Sequence, residues 1–349
     1  MNFTVAKDPR QILVIALGDP AGIGMEVVLK ALASRDLPKS MKPILVGCRS
    51  SLLAVHNRLK QQTSVPLADP RHLIIDDQPL QMGIESGVPS THGGEAGFRW
   101  LTRAVKLLQD IKGRALVTAP IAKHLWYAAG HEYPGQTERL AELAGSNRSS
   151  MLFTAVSPYT GWRLNTLLAT THIPLYQIPQ ALTPELVNHK LTVLLDFCRR
   201  FQPCPHLVIA GLNPHAGESG RLGFEEISWL TPLVLHWRNR HPEVRLDGPV
   251  SPDTCWLSAA RAWQHKNQQG PDGILALYHD QGLIPVKLMA FDAAVNATLE
   301  LPFLRTSPDH GTGFDIATQG TARPDSMIAA IRAAWELSLT QVDLTRIKT

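Results

Sequence analysis

Three histidines stand at the ends of apolar runs that have the length of buried β-strands. His172 closely follows one run, His215 lies in a proline- and glycine-containing turn after residues 207–212, and His279 directly follows residues 274–278. In an open α/β sheet, ligands bind outside the carboxyl ends of the strands, where such side chains can converge. Imidazoles favour zinc, cobalt, nickel or iron, and three protein ligands leave a position for substrate. The pattern predicts a divalent-metal site, with scattered surface histidines as the alternative in a chain that has 14 of them.

A second set of residues could bind an anion. Lys287 lies in the apolar run that follows His279, and Asn296 and Arg305 come shortly after it. Lysine and arginine bind phosphate or carboxylate groups through charge-assisted hydrogen bonds, and an asparagine amide can add another. The set therefore suits a small phosphorylated or acidic substrate. Standing alone, it would be interpreted as exposed, solvated cations.

Two glycine-containing segments complete the candidates. The stretch "LGDPAGIG", residues 17–24, is a strand-to-helix turn that can offer backbone N–H groups to an anion. It lacks the third glycine of a dinucleotide-binding fingerprint and the Gly-Lys-Ser/Thr of a Walker A loop, so by itself it indicates only a tight turn. The stretch "PDHGTGFDIA", residues 308–317, adds a polar turn rich in glycine.

Apolar runs of strand length alternate with amphipathic helical segments along the chain. The pattern predicts strands at residues 14–17, 44–46, 116–119, 151–156, 164–169, 207–212 and 274–278. It predicts helices at residues 23–33, 51–60, 94–111, 184–201, 225–240 and 325–339, the fourth with Thr183 as its N-cap. Such alternation indicates an α/β fold with a largely parallel sheet. No linker stands out, so two domains would be joined within the sheet elements.

Composition and charge argue against several classes of protein. The net charge of +4 comes from scattered basic residues, which is not the footprint of a nucleic-acid-binding surface. No apolar stretch reaches the roughly 18 residues of a membrane-spanning helix. The first residues lack the apolar segment of a secretory signal, and the four cysteines form no CxxC pair. We therefore expect a cytoplasmic protein with reduced cysteines and no nucleic-acid or membrane partner.

Four stretches occur together and in order, namely "LGDPAGIGMEVV", "LNPHAGE", "YHDQGLIPVK" and "RTSPDHGTGFDIA". In this combination the chain resembles, nearly end to end, the PdxA family of 4-hydroxythreonine-4-phosphate dehydrogenases, which has the isocitrate/isopropylmalate dehydrogenase-like fold. The resemblance implies two α/β domains with the active site in the cleft between them. We expect residues 1–135 and 285–349 to form the domain on the cofactor side, and residues 136–284 to form the domain on the metal and dimer side.

The resemblance also implies a role for individual residues. It assigns a metal ion, zinc or alternatively cobalt or magnesium, to His172, His215 and His279. It assigns catalytic roles to Asp253, which the resemblance places near the metal, and to Lys287. It assigns substrate binding to Gln136, Thr137, Lys287, Asn296 and Arg305. It places NAD or NADP near Gly311, Thr312, Gly313 and Asp315, and it implies a homodimer whose active site uses residues of both subunits.

The implied reaction is the NAD(P)-dependent oxidation of 4-phosphooxy-L-threonine in pyridoxal 5'-phosphate synthesis. The product is a β-keto acid that loses carbon dioxide to give 3-amino-2-oxopropyl phosphate. One position departs, because Gln136 stands where the family commonly has histidine. Glutamine donates and accepts hydrogen bonds but does not titrate near neutrality, so a proton-transfer role is not expected there. A related substrate such as D-erythronate 4-phosphate is the first alternative, and a metal-dependent hydrolase or a phosphometabolite-binding protein is the second.

Overall fold

The computed structural model describes residues 8–338, and the chain forms two compact units. The first unit contains the residues up to Ser149 and those from Val295 onward, and the second contains Ser150–Ala294. Each boundary falls where a strand begins. The boundaries expected from the sequence, 135/136 and 284/285, lie earlier in the chain, and the expected cleft remains a prediction.

Strands and helices alternate through both units. The strands are β1 Ile12–Ala16, β2 Lys42–Gly47, β3 Ile74–Asp77, β4 Ala115–Thr118, β5 Ser150–Val156, β6 Arg163–Leu168, β7 His206–Ala210, β8 Arg245–Val250, β9 Gly273–Ala276, β10 Val295–Leu299 and β11 Leu304–Pro308. The α-helices are α1 Gly24–Leu32, α2 Arg49–Gln62, α3 Thr91–Asp110, α4 Lys123–Ala128, α5 Gln136–Leu143, α6 Ile178–Ala181, α7 Pro184–Cys198, α8 Thr231–Arg240, α9 Leu257–Gln264, α10 His279–Ala290 and α11 Asp325–Leu337.

The strands of the first unit lie in the order β3-β2-β1-β4-β11-β10. Neighbouring strands are parallel except for β10 and β11, which form an antiparallel pair. Every residue of β1 is buried, as expected for a central parallel strand that is covered on both faces. The long helix α3 begins after Ser90, whose hydroxyl accepts a hydrogen bond from the backbone N–H of Gly93 at 3.1 Å.

The strands of the second unit lie in the order β5-β6-β9-β7-β8. β5 and β6 are antiparallel, whereas β6, β9, β7 and β8 run parallel to one another. Phe153 and Trp263 belong to the apolar core of this unit. Because parallel strands end at the same edge of a sheet, the residues that follow β6, β7, β8 and β9 are delivered to one side of the unit.

The predicted α/β fold class is confirmed, and the predicted N-cap is present, since the Thr183 hydroxyl accepts a hydrogen bond from Leu186 N at 3.2 Å. Strands β3, β8, β10 and β11 escaped the sequence analysis. The apolar run after His279 forms helix α10 despite its internal Pro285. The helix predicted at 325–339 ends at Leu337, and residue 339 lies outside the described residues. None of the described helices is both long and apolar enough to cross a membrane.

Candidate functional site

The candidate metal-binding residues follow four neighbouring parallel strands of the second unit. His172 comes after β6, His215 after β7, Asp253 after β8 and His279 after β9. The sheet therefore delivers all four side chains to the same edge. The three imidazoles are exposed or half-exposed, so a ligand can reach their ring nitrogens from solvent.

The rings of His172 and His279 are neighbours. Their centroids are 5.4 Å apart and their planes are inclined by 46°. Imidazole nitrogens bind metal at about 2.0–2.1 Å, so two rings at this separation can share one ion. Nδ1 of His279 is hydrogen-bonded to Oδ1 of Asp280 at 2.7 Å. A carboxylate bound to one ring nitrogen in this way orients the other nitrogen, here Nε2, toward a metal.

The turn that carries His215 has an unusual backbone. All six residues from His215 to Gly220 are left-handed, with φ between 41° and 87°. Four of the six residues are not glycine, and each non-glycine residue in this conformation costs about 1–2 kcal/mol. Such strain persists only where the surroundings impose it, and it is concentrated at functional sites.

The carboxylate of Glu226 holds this turn in place. Glu226 is 2% exposed, and its Oε1 accepts hydrogen bonds from the backbone N–H groups of Leu212 at 2.7 Å and Asn213 at 2.8 Å. Its Oε2 accepts a third bond from Asn213 Nδ2 at 2.8 Å. A Cβ at Gly217 would lie 2.9 Å from the same Oε2, so glycine allows the turn to pack directly on the carboxylate. The sequence analysis missed Glu226, because its partners lie more than ten residues away.

Gln281 and Thr170 link the strand ends. Oε1 of Gln281 accepts a hydrogen bond from Leu277 N at 2.7 Å, and its Nε2 donates to Gly211 O at 2.7 Å. The Thr170 hydroxyl donates to Leu277 O at 2.8 Å. Since Gly211 follows β7, Leu277 follows β9 and Thr170 follows β6, these two side chains connect the ends of all three strands that precede the histidines. The sequence analysis missed both residues.

Asp253 is ionised at neutral pH. The Ser251 hydroxyl donates a hydrogen bond to its carboxylate. That bond and, to a smaller extent, the charge of His215 hold the pKa of Asp253 below its ordinary value. An exposed carboxylate near His215 can act as an oxygen ligand or as a proton acceptor.

The donor set fits a divalent transition metal in its chemistry, with two neighbouring imidazoles, a third on the adjacent strand end and a carboxylate. Within residues 8–338, however, no three side chains of the His, Cys, Asp and Glu types lie close enough together to enclose an ion. The metal assignment therefore depends on the shared sheet edge and on the pair His172–His279, and it remains a prediction.

Arg305, on β11 of the first unit, is a buried cation that is 4% exposed. Its Nε and Nη2 donate to Thr118 Oγ1 at 3.0 and 2.7 Å, and Nη2 also donates to Gln136 Oε1 at 2.9 Å. Its Nη1 lies 3.4 Å from Thr298 Oγ1. All of these acceptors are uncharged, and no carboxylate among the described residues forms an ion pair with Arg305.

The protonated state of Arg305 is nevertheless maintained. Burial lowers the pKa of the guanidinium to about 10, an effect that the more distant charge of Glu138 opposes. The side chain therefore carries a full positive charge at neutral pH. A buried charge without a counter-ion is costly, and an anionic ligand would remove that cost.

The amide of Asn296 belongs to the same face of the sheet. In the pairing of β10 with β11, Asn296 lies opposite Ser307 and Thr298 lies opposite Arg305. Cross-strand partners and alternate residues of a strand share a face, so Asn296 and Arg305 point to the same side. Oδ1 of Asn296 is buried and has no hydrogen-bond donor within the described part of the chain. The antiparallel pair thus combines a cation with an unused polar atom.

Gln136 and Thr137 are the first two residues of α5. Gln136 joins the Arg305 cluster, because its Oε1 accepts from the guanidinium while its Nε2 donates to Ala119 O at 3.2 Å. Thr137 is half-buried beside it. Lys287 is also half-buried, on α10 of the second unit.

The two glycine-containing segments form one structural feature of the first unit. The backbone N–H of Ile23 donates to Thr312 O at 2.8 Å. A Cβ at Gly22 would lie 2.7 Å from the same oxygen, so this close approach requires glycine. Gly313 has φ 54° and packs against the Ile23 side chain. The turn before α1 therefore positions the loop that the sequence analysis proposed for the cofactor.

The exposed part of this loop has room for a ligand. No atom lies within 4 Å of the position that a Cβ would take at Gly311. Asp315 is exposed in the short 3₁₀ turn Phe314–Ile316. Nε2 of His310 is buried and makes no hydrogen bond to the described residues. Open backbone next to an unused ring nitrogen fits a ligand with many hydrogen-bonding groups, as a nicotinamide nucleotide is.

Asp19, in the same turn, is a buried carboxyl group that the sequence analysis did not single out. It is 1% exposed, and Oδ1 accepts a hydrogen bond from Ala21 N at 2.9 Å. Oδ2 has no hydrogen-bond partner among the described residues. Burial raises the pKa of Asp19 to about 6. The group therefore changes charge close to neutrality.

Comparison with known proteins gives concordant matches over most of the chain. Residues 39–334 match the family described as "Pyridoxal phosphate biosynthetic protein PdxA". A "4-hydroxythreonine-4-phosphate dehydrogenase" of Synechococcus sp. (strain RCC307) is 61% identical over 327 residues, which cover 93% of this chain and 99% of that protein. A "D-threonate 4-phosphate dehydrogenase" of Pectobacterium atrosepticum is 35% identical over 340 residues, covering 94% of this chain and 99% of that protein. The crystal structure of a 4-hydroxythreonine-4-phosphate dehydrogenase from Klebsiella pneumoniae is 34% identical with a TM-score of 0.76, covering 94% of this chain and 100% of its own.

Proposed function

The chain belongs to the PdxA family, and from this premise we propose that it oxidises 4-phosphooxy-L-threonine with NAD or NADP. The β-keto acid so formed loses carbon dioxide and gives 3-amino-2-oxopropyl phosphate, a step of pyridoxal 5'-phosphate synthesis. Relatives with dehydrogenase names at 61% and 35% identity support an oxidoreductase and count against a hydrolase or a non-catalytic binding protein.

The observation that carries the proposal is the buried charge of Arg305, whose hydrogen-bond acceptors are all uncharged. A phosphate ester bound there neutralises the guanidinium, and Nδ2 of Asn296 can donate to the phosphate on the same face of the sheet, while its unpaired Oδ1 suits a donor group of the substrate. The relatives' substrates named in the comparisons carry a phosphate on a four-carbon acid, which is the chemistry this cluster suits. Lys287 adds a second cation for the substrate.

His172, His215 and His279 would hold a divalent metal, with zinc the first choice and cobalt or magnesium the alternatives. When bound, such an ion lowers the pKa of the substrate hydroxyl and stabilises negative charge during decarboxylation. The three loops that carry these histidines are held in place by hydrogen bonds from Glu226, Gln281 and Thr170. In this proposal Asp253, which is ionised at neutral pH, accepts the hydroxyl proton. Lys287 returns a proton after carbon dioxide is lost.

The nicotinamide cofactor would lie along the loop formed by Gly311, Thr312 and Gly313, with Asp315 at its exposed end. When bound, it accepts the hydride from the carbon that bears the hydroxyl. The chain's own contribution is a rigid loop, since Gly22 and Ile23 fix Thr312 through the backbone.

A second candidate substrate is an amine-free acid. The relative named D-threonate 4-phosphate dehydrogenase favours this possibility, and D-erythronate 4-phosphate belongs to the same chemical class. The aminated substrate remains the first candidate because the relative at 61% identity is named for it.

A homodimer is proposed on the exposed face of α10. Ile284 and Leu288 on this helix and Phe291, which caps its C-terminal end, are 58%, 83% and 59% exposed, and their spacing places them on one side. Contiguous apolar exposure of this kind marks interaction surfaces. The same helix begins with His279, so a second subunit on this face would lie close to the proposed metal site. The cytoplasmic location stays a prediction.

A coupled test addresses substrate, cofactor and metal together. Purified protein is mixed with 4-phosphooxy-L-threonine and either NAD or NADP, with and without a chelator, and reduced nicotinamide is followed by its absorbance. We expect reduction that stops when the metal is removed and returns when zinc, cobalt or magnesium is added back. Turnover that survives exhaustive chelation would remove the metal from the proposal, and no reduction with either nucleotide would reject the proposed reaction.

A further inference from the structure

Gln136 is the position at which this chain departs from the common residue of the family it resembles, and its amide is engaged at both ends. Oε1 accepts from Nη2 of Arg305 at 2.9 Å, and Nε2 donates to Ala119 O at 3.2 Å. These two bonds use one of the two Nε2 hydrogens and one of the two Oε1 lone pairs, and they fix the amide between the guanidinium and the backbone of Ala119. The bond from Arg305 to Oε1 makes Gln136 part of the environment of the guanidinium.

The cluster around Arg305 contains only neutral acceptors. Thr118 accepts two of the guanidinium N–H groups, Gln136 accepts one, and Thr298 lies at the longer distance of 3.4 Å from Nη1. Arginine has five N–H groups in a rigid plane. Thr118 and Gln136 therefore fix the Nε and Nη2 side of that plane and leave Nη1 as the nitrogen for a ligand.

Uncharged acceptors orient a cation without neutralising it. A carboxylate at position 136 would form an ion pair with Arg305 and compete with any incoming anion. A glutamine gives the same acceptor atom at the same place but leaves the positive charge available. In a buried site this difference is large, because charges interact strongly where water is excluded.

We infer that Gln136 is a positioning residue that holds Arg305, as a buried cation whose direct protein partners are all uncharged, ready for the phosphate group. The inference rests on the proposed function, since it presupposes that Arg305 binds the phosphate of the substrate. It gives Gln136 a role beyond the direct substrate contact that the sequence resemblance implied.

The test measures the dissociation constant of inorganic phosphate by isothermal titration calorimetry at one pH and ionic strength. Gln136→Glu introduces the competing carboxylate, and Gln136→Met removes the hydrogen bond without adding charge. Gln62→Glu is the matched control, because Gln62 lies in the same unit, is exposed, and donates to Thr318 O at 2.8 Å without touching Arg305. Thermal unfolding of each variant shows whether it is folded.

We expect Gln136→Glu to weaken phosphate binding by at least about tenfold, the loss typical of a charge-assisted hydrogen bond. Gln136→Met should weaken phosphate binding by about threefold, less than Gln136→Glu, because one positioning bond is lost while Thr118 still holds the guanidinium through two others. Gln62→Glu should bind phosphate as the wild type does. Thr118→Val is a second, independent variant that removes two guanidinium contacts, and it should weaken phosphate binding even if Gln136→Glu fails to fold.

Other results would overturn the inference in distinguishable ways. Equal losses for Gln136→Met and Gln136→Glu would mean that the absence of charge at position 136 does not matter for phosphate binding, which contradicts the inference. Unchanged affinity in Gln136→Glu, or in Thr118→Val, would mean that the cluster has only a structural role, while the proposed function stands. If the wild type and Arg305→Gln bind phosphate with the same affinity, the phosphate site itself is wrong, and the proposed function falls together with this inference.

Discussion

Replacing Gln281 by leucine tests whether the ends of β7 and β9 are held together for metal binding. The substitution keeps the approximate volume of the side chain and removes both of its hydrogen bonds, to Leu277 N and to Gly211 O, each 2.7 Å long. The loops that carry His215 and His279 then lose their direct connection. We expect the variant to fold with weakened affinity for divalent metal.

The size of the effect follows from the groups left unpaired. Leu277 and Gly211 are both buried. The N–H group of Leu277 and the carbonyl group of Gly211 therefore lose their hydrogen-bond partners at a place that water does not reach. Each buried unsatisfied group costs about 1–3 kcal/mol, so the free energy of unfolding should fall by about 2–6 kcal/mol for the two groups. Loss of residues that orient metal ligands typically weakens metal binding by about 10–100-fold.

Asn165→Leu provides a control in the same unit, because it also replaces a buried amide that makes two hydrogen bonds by an apolar side chain. Asn165 is also a buried amide with two bonds, since Nδ2 donates to Asp272 O at 2.8 Å and Oδ1 accepts from Thr154 Oγ1 at 2.8 Å. It links β6 to the residue just before β9, at the end of that strand away from His279. The two variants should therefore lose similar stability, and only Gln281→Leu should lose metal affinity.

The assay combines urea unfolding of the metal-free proteins with equilibrium dialysis against Zn²⁺ or Co²⁺. Equal metal affinity in the wild type and Gln281→Leu would refute the role of this link. Equal losses of affinity in Gln281→Leu and Asn165→Leu would show that general destabilisation, and not the strand-end connection, governs binding. A wild type that binds neither ion would reject the metal site itself.

Three further outcomes are expected. Arg305→Gln should raise KM for the phosphorylated substrate about 10–100-fold while KM for the nicotinamide changes little, since a charge-assisted bond to phosphate is lost; equal effects on both would contradict the assignment. The pKa of Asp19 is raised to about 6, so its contribution to stability is full at low pH and falls as the pH rises through that value. Between pH 4 and pH 7.5 the free energy of unfolding should therefore fall further in the wild type than in Asp19→Asn, by up to about 3 kcal/mol. Parallel curves of unfolding free energy against pH for the two proteins would contradict this. Leu288→Asp places a charge on the 83% exposed apolar side chain and should convert a dimer to a monomer in sedimentation experiments, whereas an unchanged mass would move the interface elsewhere.

The features that the sequence predicted well are those with local signals. Apolar spacing identified the long helix α3, although its N-cap, Ser90, places the start three residues earlier than predicted. Thr183 followed by proline marked the start of α7 correctly. The histidines after apolar runs indicated a shared edge, and the parallel order β6-β9-β7 places them there.

The features that escaped prediction depend on contacts between distant residues. β11, Leu304–Pro308, contains a buried arginine and ends in proline, so its pattern does not resemble a strand. The guanidinium of this arginine donates hydrogen bonds to Thr118, which lies on a different strand nearly two hundred residues away. Glu226 and Gln281 likewise act on backbone groups of other elements. No local spacing in the sequence carries such information.

The central claim is that this dehydrogenase acts on a phosphorylated four-carbon acid that carries an amine. The most direct measurement is kcat/KM for 4-phosphooxy-L-threonine, D-threonate 4-phosphate and D-erythronate 4-phosphate, followed by nicotinamide reduction under identical metal and pH conditions. We predict that the aminated substrate has the highest value of the three. A preference of a hundredfold or more for either amine-free acid, equivalent to about 2.7 kcal/mol of transition-state stabilisation, would contradict the claim and establish the alternative substrate class.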